Sequence, residues 1–203
     1  MFITFEGVDG SGKSTQLRFL SEHLELIGRK YIIVREPGTT EVGEKIRDIL
    51  LDRNNTAMSP VTEAMLYAAA RVQLIDEVIK PALDKGVTVL CDRYIDSSVA
   101  YQAFGRGLGV DAVLKMNDYA VKNCLPDITF FIDVSPEAAG ERMHSRTDLD
   151  RLELESLAFK DRVYQGFLYM AEREPERIIR IDASGSKQET REKILSHIGR
   201  ITS

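Results

Sequence analysis

Nine consecutive residues, Gly7 to Thr15 (GVDGSGKST), combine types and spacing that can hold phosphate. Gly7 and Gly12 stand five apart and Lys13 and Ser14 follow, which fits the pattern G-x-x-x-x-G-K-[ST]. Gly10 and Gly12 let the backbone turn sharply and bring N–H groups against phosphate oxygens, where a Cβ obstructs the dihedral or the approach. Val8, Asp9 and Ser11 fill the variable positions of the turn. A helix opening at Lys13 adds the positive end of its dipole. The Lys13 ammonium can reach the β- and γ-phosphates, and the Ser14 hydroxyl is placed to ligate the Mg²⁺ that a nucleoside triphosphate carries. A second chemical anchor is Asp92-Arg93, behind the apolar run Val87 to Leu90. A carboxylate at a strand end beside such a loop holds Mg²⁺ or its waters, although an aspartate there also serves as a plain helix cap. The Arg93 guanidinium is always charged and forks onto phosphate oxygens, so it is suited to bridge a donor and an acceptor; a surface ion pair is its alternative.

The elements that position these groups alternate strand and helix, the order of a parallel sheet covered on both faces. Phe2 to Phe5, Tyr31 to Val34, Val87 to Leu90, Ile128 to Val134 and Ile178 to Ile181 read as five strands. Leu17, Leu20, Leu24 and Ile27 form the buried stripe of a first helix that Gly28 ends. Ser59-Pro60 starts a long helix running toward Pro81, Ser135-Pro136 starts another, and Ser186 with Glu189 forms a capping box for the last. The expected fold is therefore α/β and three-layered: a phosphate-loop fold with a five-stranded parallel sheet and helices on both faces.

With 203 residues, 43% of them hydrophobic, the chain can bury one sizeable core, and residues 1–203 read as a single domain without repeats or linkers. A formal net charge of −5 and the lack of any DNA- or RNA-module signature argue against a nucleic-acid partner. Cys91 and Cys124 make no C-x-x-C pair and lie in or beside apolar runs, which fits buried reduced thiols. No apolar run of membrane-spanning length or signal peptide is evident, so the expectation is a cytoplasmic protein without a membrane partner.

Together the motifs carry a family resemblance that covers nearly the whole chain. FEGVDGSGKST at Phe5 to Thr15, REPG at Arg35 to Gly38, TEAMLYAAAR at Thr62 to Arg71, DRYIDSSVAYQ at Asp92 to Gln102 followed by FGRGLG, Pro126-Asp127, and LDRLE at Leu149 to Glu153 resemble the thymidylate kinases. The resemblance implies a nucleoside monophosphate kinase-like fold with a mobile lid, transfer of the γ-phosphate of ATP to dTMP with Mg²⁺, and a cytoplasmic homodimer. It implies that Tyr67 stacks on thymine while Arg71, four residues on and on the same helix face, bonds a base carbonyl. Ser98 and Gln102 meet the base edge, and Tyr101 crowds C2′ and so rejects a ribose. Arg35, Arg47 and Arg93 gather round the acceptor phosphate, with Pro37 shaping the turn, and Asp9 accepts from the 3′-hydroxyl. Two departures stand out: Tyr67 replaces the phenylalanine of many bacterial relatives, and Thr39 replaces a glycine in REPGTT. Tyr67 can also be read as a plain core aromatic.

None of Val8, Asp9, Gly10 and Ser11 is basic, so positive charge for the transferred phosphate has to come from elsewhere. Arg142, Arg146 and Arg151, in a lid segment at about 141–155, resemble the bacterial branch in which lid arginines close over ATP. Arg146 is the foremost candidate for catalysis beside Lys13, Arg93 and Asp92, and Arg142 stacks on adenine in the same picture. The alternative is a solvated helix face with ion pairs. A kinase for another nucleoside monophosphate and a non-kinase switch also share the phosphate loop. Asp182 to Gly185 matches D-x-x-G, but it follows the last strand and no N-K-x-D guanine signature accompanies it.

Overall fold

A computed structural model describes residues 1–143 and 149–198. Five parallel strands, β1 (Phe2–Glu6), β2 (Tyr31–Arg35), β3 (Thr88–Asp92), β4 (Ile128–Asp133) and β5 (Ile178–Asp182), form one sheet in the order β2-β3-β1-β4-β5. β1 is central. Its register places Phe5 opposite Asp92 of β3 and Glu6 opposite Phe131 of β4, and Arg35 of β2 also pairs with Asp92. The chain leaves β1 between two strands whose connections run in opposite directions, which opens a crevice beyond the carboxyl ends of the strands.

The apolar residues of β1 and β3 divide between two clusters. Ile3, Phe5 and Leu90 pack with Leu17, Leu20 and Leu24 of α1 (Lys13–Leu26), whereas Phe2, Val89 and Cys91 pack with Leu74, Ile75, Ile79 and Tyr94. Both cysteines are buried and free, as expected. The predicted starts also hold: Ser59 accepts from Thr62 N at the head of α3 (Pro60–Leu74), and Ser186 and Glu189 bond reciprocally ahead of α10 (Lys187–Ile198). Gly28 ends α1 with φ of 70°.

The long helix expected from Pro60 to Pro81 is a composite. After Leu74 it widens into a π-helical turn over Ile75–Ile79 and resumes as α4 (Lys80–Asp84). Pro81 has no N–H to donate, and the wider turn lies immediately ahead of it. A second π-helical segment, Val99–Gly105, follows α5 (Ile95–Ser98) and carries Tyr101 and Gln102. It lies tightly against α9 (Leu157–Arg173): a Cβ on Gly166 would come within 2.6 Å of Ala100 Cα. That contact fixes the height of the segment over the strand ends. The remaining helices are α2 (Glu41–Leu51), α6 (Val110–Met116), α7 (Asp118–Asn123) and α8 (Pro136–Met143). No helix among the described residues is long and apolar enough to cross a membrane.

Candidate active site

The loop after β1 wraps into α1 through left-handed backbone at Gly10 and Gly12, with φ of 83° and 101°. A Cβ on Gly10 would collide with the Ala139 carbonyl of α8, so the loop is pressed against the next layer. Lys13 is buried, and its Nζ donates to Gly7 O at 3.0 Å and Val8 O at 2.9 Å. Burial, then repulsion from Arg93, pushes its ammonium down to about 8. Ser14 Oγ donates to Asp92 Oδ2 at 2.8 Å, which brings a hydroxyl and a carboxylate together at the mouth of the loop.

Arg93 follows Asp92 with φ of 69°, an unusual conformation for a side chain of this size. It is held by donation to Gly7 O at 3.0 Å and Ser97 Oγ at 3.2 Å, by an ion pair with Asp9, and by the Tyr101 ring, 5.2 Å from its guanidinium carbon. Tyr101 donates its hydroxyl to Asp9 Oδ2 at 2.9 Å. Burial opposes the charge of Asp9, but Arg93 and Lys13 outweigh it and hold the carboxyl well below the usual range. Beneath them is Glu6, to which sequence reasoning assigned no direct role. It accepts from Tyr94 N at 2.7 Å and Ser97 Oγ at 2.5 Å, and so fixes the turn that carries Arg93. Burial and then Asp96 push its carboxyl up to about 7.

Two cavities meet at Asp9 and Arg93. The larger, about 730 Å³, runs along residues 9–16, Asp92 and Arg142 to Ala183, Gly185 and Thr190. Arg142 crosses it, donating to Ser11 O at 3.3 Å and Ala183 O at 3.1 Å, and so stands beside the phosphate loop. The smaller, about 240 Å³, is walled by Pro37, Arg47, Tyr67, Arg71, Ser98, Tyr101 and Gln102. All the residues expected to meet the acceptor line it except Arg35.

Arg35 donates to Glu44 at 2.8 Å and faces a neighbouring groove with Ser14 and Asp92, although it and Arg47 converge on the Pro37 carbonyl at 2.9 and 3.0 Å. Thr39 adopts φ of 73° in the same turn. Its hydroxyl accepts from Arg35 N at 2.9 Å and donates to Arg35 O at 3.1 Å, so the threonine ties the turn that a glycine would only permit.

Arg151 is not placed over the phosphate loop. It donates to Leu50 O at 2.9 Å and Glu63 Oε2 at 2.7 Å, on the acceptor side of the site. A buried carboxylate outbids the open groove for this guanidinium, which a reading of the charge run could not reveal. Arg146 lies outside the described residues.

Arg71 is 1% exposed. Its Nε reaches Glu36 Oε2 at 2.7 Å, Nη2 donates to Tyr94 O at 3.1 Å, and Nη1 to Asn117 Oδ1. Glu36 and Asn117 carry the aim of this guanidinium; Glu36 stands inside the REPG motif, but Asn117 has no sequence signal. Burial pushes the Glu36 carboxyl up to about 7 in spite of Arg71, while Arg71 is pushed above the ordinary guanidinium range. Arg71 therefore keeps its proton and donates it in a hydrogen bond to Glu36, and Glu36 is the member of the pair that titrates, at about 7. Raised from 4.5, the group binds a proton in the folded chain that the unfolded chain has already released. Its stabilising contribution is full below the unfolded value and lost as pH rises through about 7. Glu36→Gln removes that dependence: between about pH 5 and pH 8 the wild-type melting temperature should fall relative to the variant by on the order of 5 °C. Parallel melting curves that keep a constant offset would reject the assignment.

The Tyr67 hydroxyl has no hydrogen-bond partner among the described residues, and burial followed by Glu63 raises its pKa. Tyr67→Phe should accordingly change the KM for the acceptor by less than about threefold. A larger loss in steady-state kinetics would mean that the phenol bonds the substrate.

A phosphate loop closing β1, a hydroxyl and a carboxylate at its mouth, and a second cavity joined to the first at Asp9 and Arg93 define a P-loop protein of the nucleoside monophosphate kinase class. The family model for thymidylate kinase matches residues 5–194. A thymidylate kinase of Exiguobacterium sp. is 47% identical over 197 residues, covering 97% of this chain and 93% of its own. Similar matches are those of Caldanaerobacter subterraneus, 50% identical with 89% and 86% covered, and Bacillus pumilus, 43% identical with 96% and 93% covered. The chain belongs to the thymidylate kinase family.

Proposed function

We propose that the protein transfers the γ-phosphate of ATP to dTMP, giving dTDP and ADP. The observation that carries this reading is the pair of cavities that share Asp9 and Arg93 as a common wall. ATP lies along the larger one, with its phosphates on the loop and Lys13 and its base toward Arg142 and Ala183. The acceptor lies in the smaller, with Tyr67 against the base, Arg71 at a base carbonyl, Tyr101 and Asp9 at the sugar, and Arg47 and Arg93 at the phosphate. Arg93 lies where the acceptor oxygen and the γ-phosphate meet and draws both anions into line, which leaves the chemistry to positioning and charge neutralisation.

Ser14 and Asp92 present hard oxygen donors suited to Mg²⁺. They would hold the ion, whose chemistry there is to neutralise charge building on the phosphate oxygens. Exposed Val42 and Ile49 on α2 with Val61 and Met65 on α3 support a homodimer, and two buried free thiols support a reducing compartment such as the cytoplasm.

The test is a panel of ATP with dTMP, dUMP, UMP, AMP and GMP as acceptors. dTMP should be phosphorylated fastest. Faster transfer to AMP, GMP or UMP would make the protein a kinase of a different monophosphate, and no transfer at all would leave only a nucleotide switch.

A further inference from the structure

Behind Gln102, which lines the smaller cavity, stands a carboxylate that no reading of the reaction requires. Glu63, in the first turn of α3, is 1% exposed and bonded to three other elements. Its Oε1 accepts from Gln102 Nε2 at 2.9 Å and Arg106 Nε at 3.2 Å, and its Oε2 accepts from Arg106 Nη2 at 3.0 Å and Arg151 Nη2 at 2.7 Å. Burial opposes its charge, but Arg106, Gln102 and Arg151 outweigh that and lower its pKa, so it stays ionised. An ionised carboxylate only accepts hydrogen bonds.

Two consequences follow for Gln102. Its amide has to face Glu63 with the NH₂ group, because the opposite orientation sets a carbonyl oxygen against a carboxylate in a buried site. Its carbonyl oxygen, on the same carbon, points elsewhere; it has no partner among the described residues, and Gln102 walls the smaller cavity. We propose that Glu63 is a positioning residue that locks the Gln102 amide with its oxygen toward the base, so that the site admits pyrimidines with a proton on N3 and refuses those without one.

This rests on dTMP being the acceptor. Thymine and uracil donate N3–H to that oxygen. Cytosine offers a lone pair at N3, and two acceptors then meet in a cavity from which water is displaced. Buried polar groups left unpaired in this way give discrimination that a hydrophobic pocket cannot.

The lock makes a directional prediction for Glu63→Gln. Arg106 and Arg151 both demand oxygen at the Oε2 position, so the new amide turns its NH₂ toward Gln102. Gln102 then reverses and shows its own NH₂ to the base, which suits cytosine. Calorimetric titration of dTMP, dUMP and dCMP into wild type and variant reads this. In the wild type, dUMP should bind far more tightly than dCMP; in the variant, the ratio of dCMP to dUMP dissociation constants should fall by on the order of 10- to 100-fold. General damage to the site weakens both ligands and leaves the ratio alone. An unchanged ratio, with dUMP still bound, overturns the lock and leaves the acceptor assignment standing. If the variant does not fold, the wild type still decides: dCMP affinity within about threefold of dUMP overturns the proposal. Failure of wild type to bind dTMP overturns the acceptor reading itself, and the lock with it.

Discussion

Lys13→Ala lowers kcat for phosphoryl transfer by about 10³-fold, with little change in the melting temperature. The expectation follows from the bonds that Lys13 makes within the loop. Lys13 is 6% exposed, and its ammonium donates to two carbonyls of its own loop, Gly7 O and Val8 O, at 3.0 and 2.9 Å. Neutral carbonyls are weak compensation for a buried cation, and Arg93 repels it besides, so its proton is held less firmly than usual, at about 8. A phosphate arriving at the loop replaces those carbonyls with full negative charge. It gains most at the transition state, where charge spreads over the oxygens that the ammonium faces. Folding gains little from the same group, because the two hydrogen bonds it makes are offset by its desolvation. Steady-state rates together with thermal melts separate the two contributions. A loss in kcat of less than tenfold, or a variant that melts far below the wild type, would contradict the role given to Lys13.

How much of this was readable in the sequence depends on the distance over which each group is determined. Gly7 to Thr15 is a local device: spacing gave the loop and the helix start, and the structure has both, whereas the bond from Ser14 to Asp92, 78 residues on, appears only in the fold. Apolar runs gave the five strands, but the runs stopped β1 and β2 at their last apolar residue and β3 at Leu90, one residue short of the apolar Cys91. Glu6, Arg35 and Asp92 continue the ladders, because backbone pairing does not care about side-chain polarity at the edge of the crevice. The helix from Pro60 was legible at its cap and not at its π-helical turn, since residue periodicity does not record how the backbone yields ahead of Pro81.

The site residues divide in the same way. Tyr67, Arg71, Ser98, Tyr101 and Gln102 stand in motifs whose resemblance put them at one cavity, and the structure brings them there. Arg151 could not be placed by charge pattern, because its position is settled by Glu63, 88 residues away in the chain. Glu36, Glu63 and Asn117 are legible only after folding: each acts by fixing another side chain, Arg71 or Gln102, and single residues of ordinary type carry no spacing that announces such a task.

Arg93→Ala should cost more than Lys13→Ala, by about 10³- to 10⁵-fold in kcat/KM, and should weaken both substrates at once. Arg93, with Asp9, forms the wall common to both cavities. Its charge also keeps Asp9 ionised in the right place, since the ion pair and the Tyr101 hydroxyl together hold that carboxylate toward the sugar side of the smaller cavity. Deletion therefore removes the guanidinium proposed to bind phosphate, lets Asp9 swing, and leaves Tyr101 without the cation over its ring, 5.2 Å away. Lysine should not rescue the loss. One ammonium cannot serve Gly7 O, Ser97 Oγ and Asp9 from a single left-handed residue while also forking onto phosphate. Calorimetric titration of ATP and dTMP into Arg93→Ala and Arg93→Lys, alongside rates, reads all of this. The expected pattern is loss of affinity for both ligands, a larger loss in kcat, and no more than a small recovery with lysine. Weakened dTMP binding with ATP binding and kcat intact would mean that Arg93 belongs to the acceptor alone, and the γ-phosphate would then need its cation from another residue.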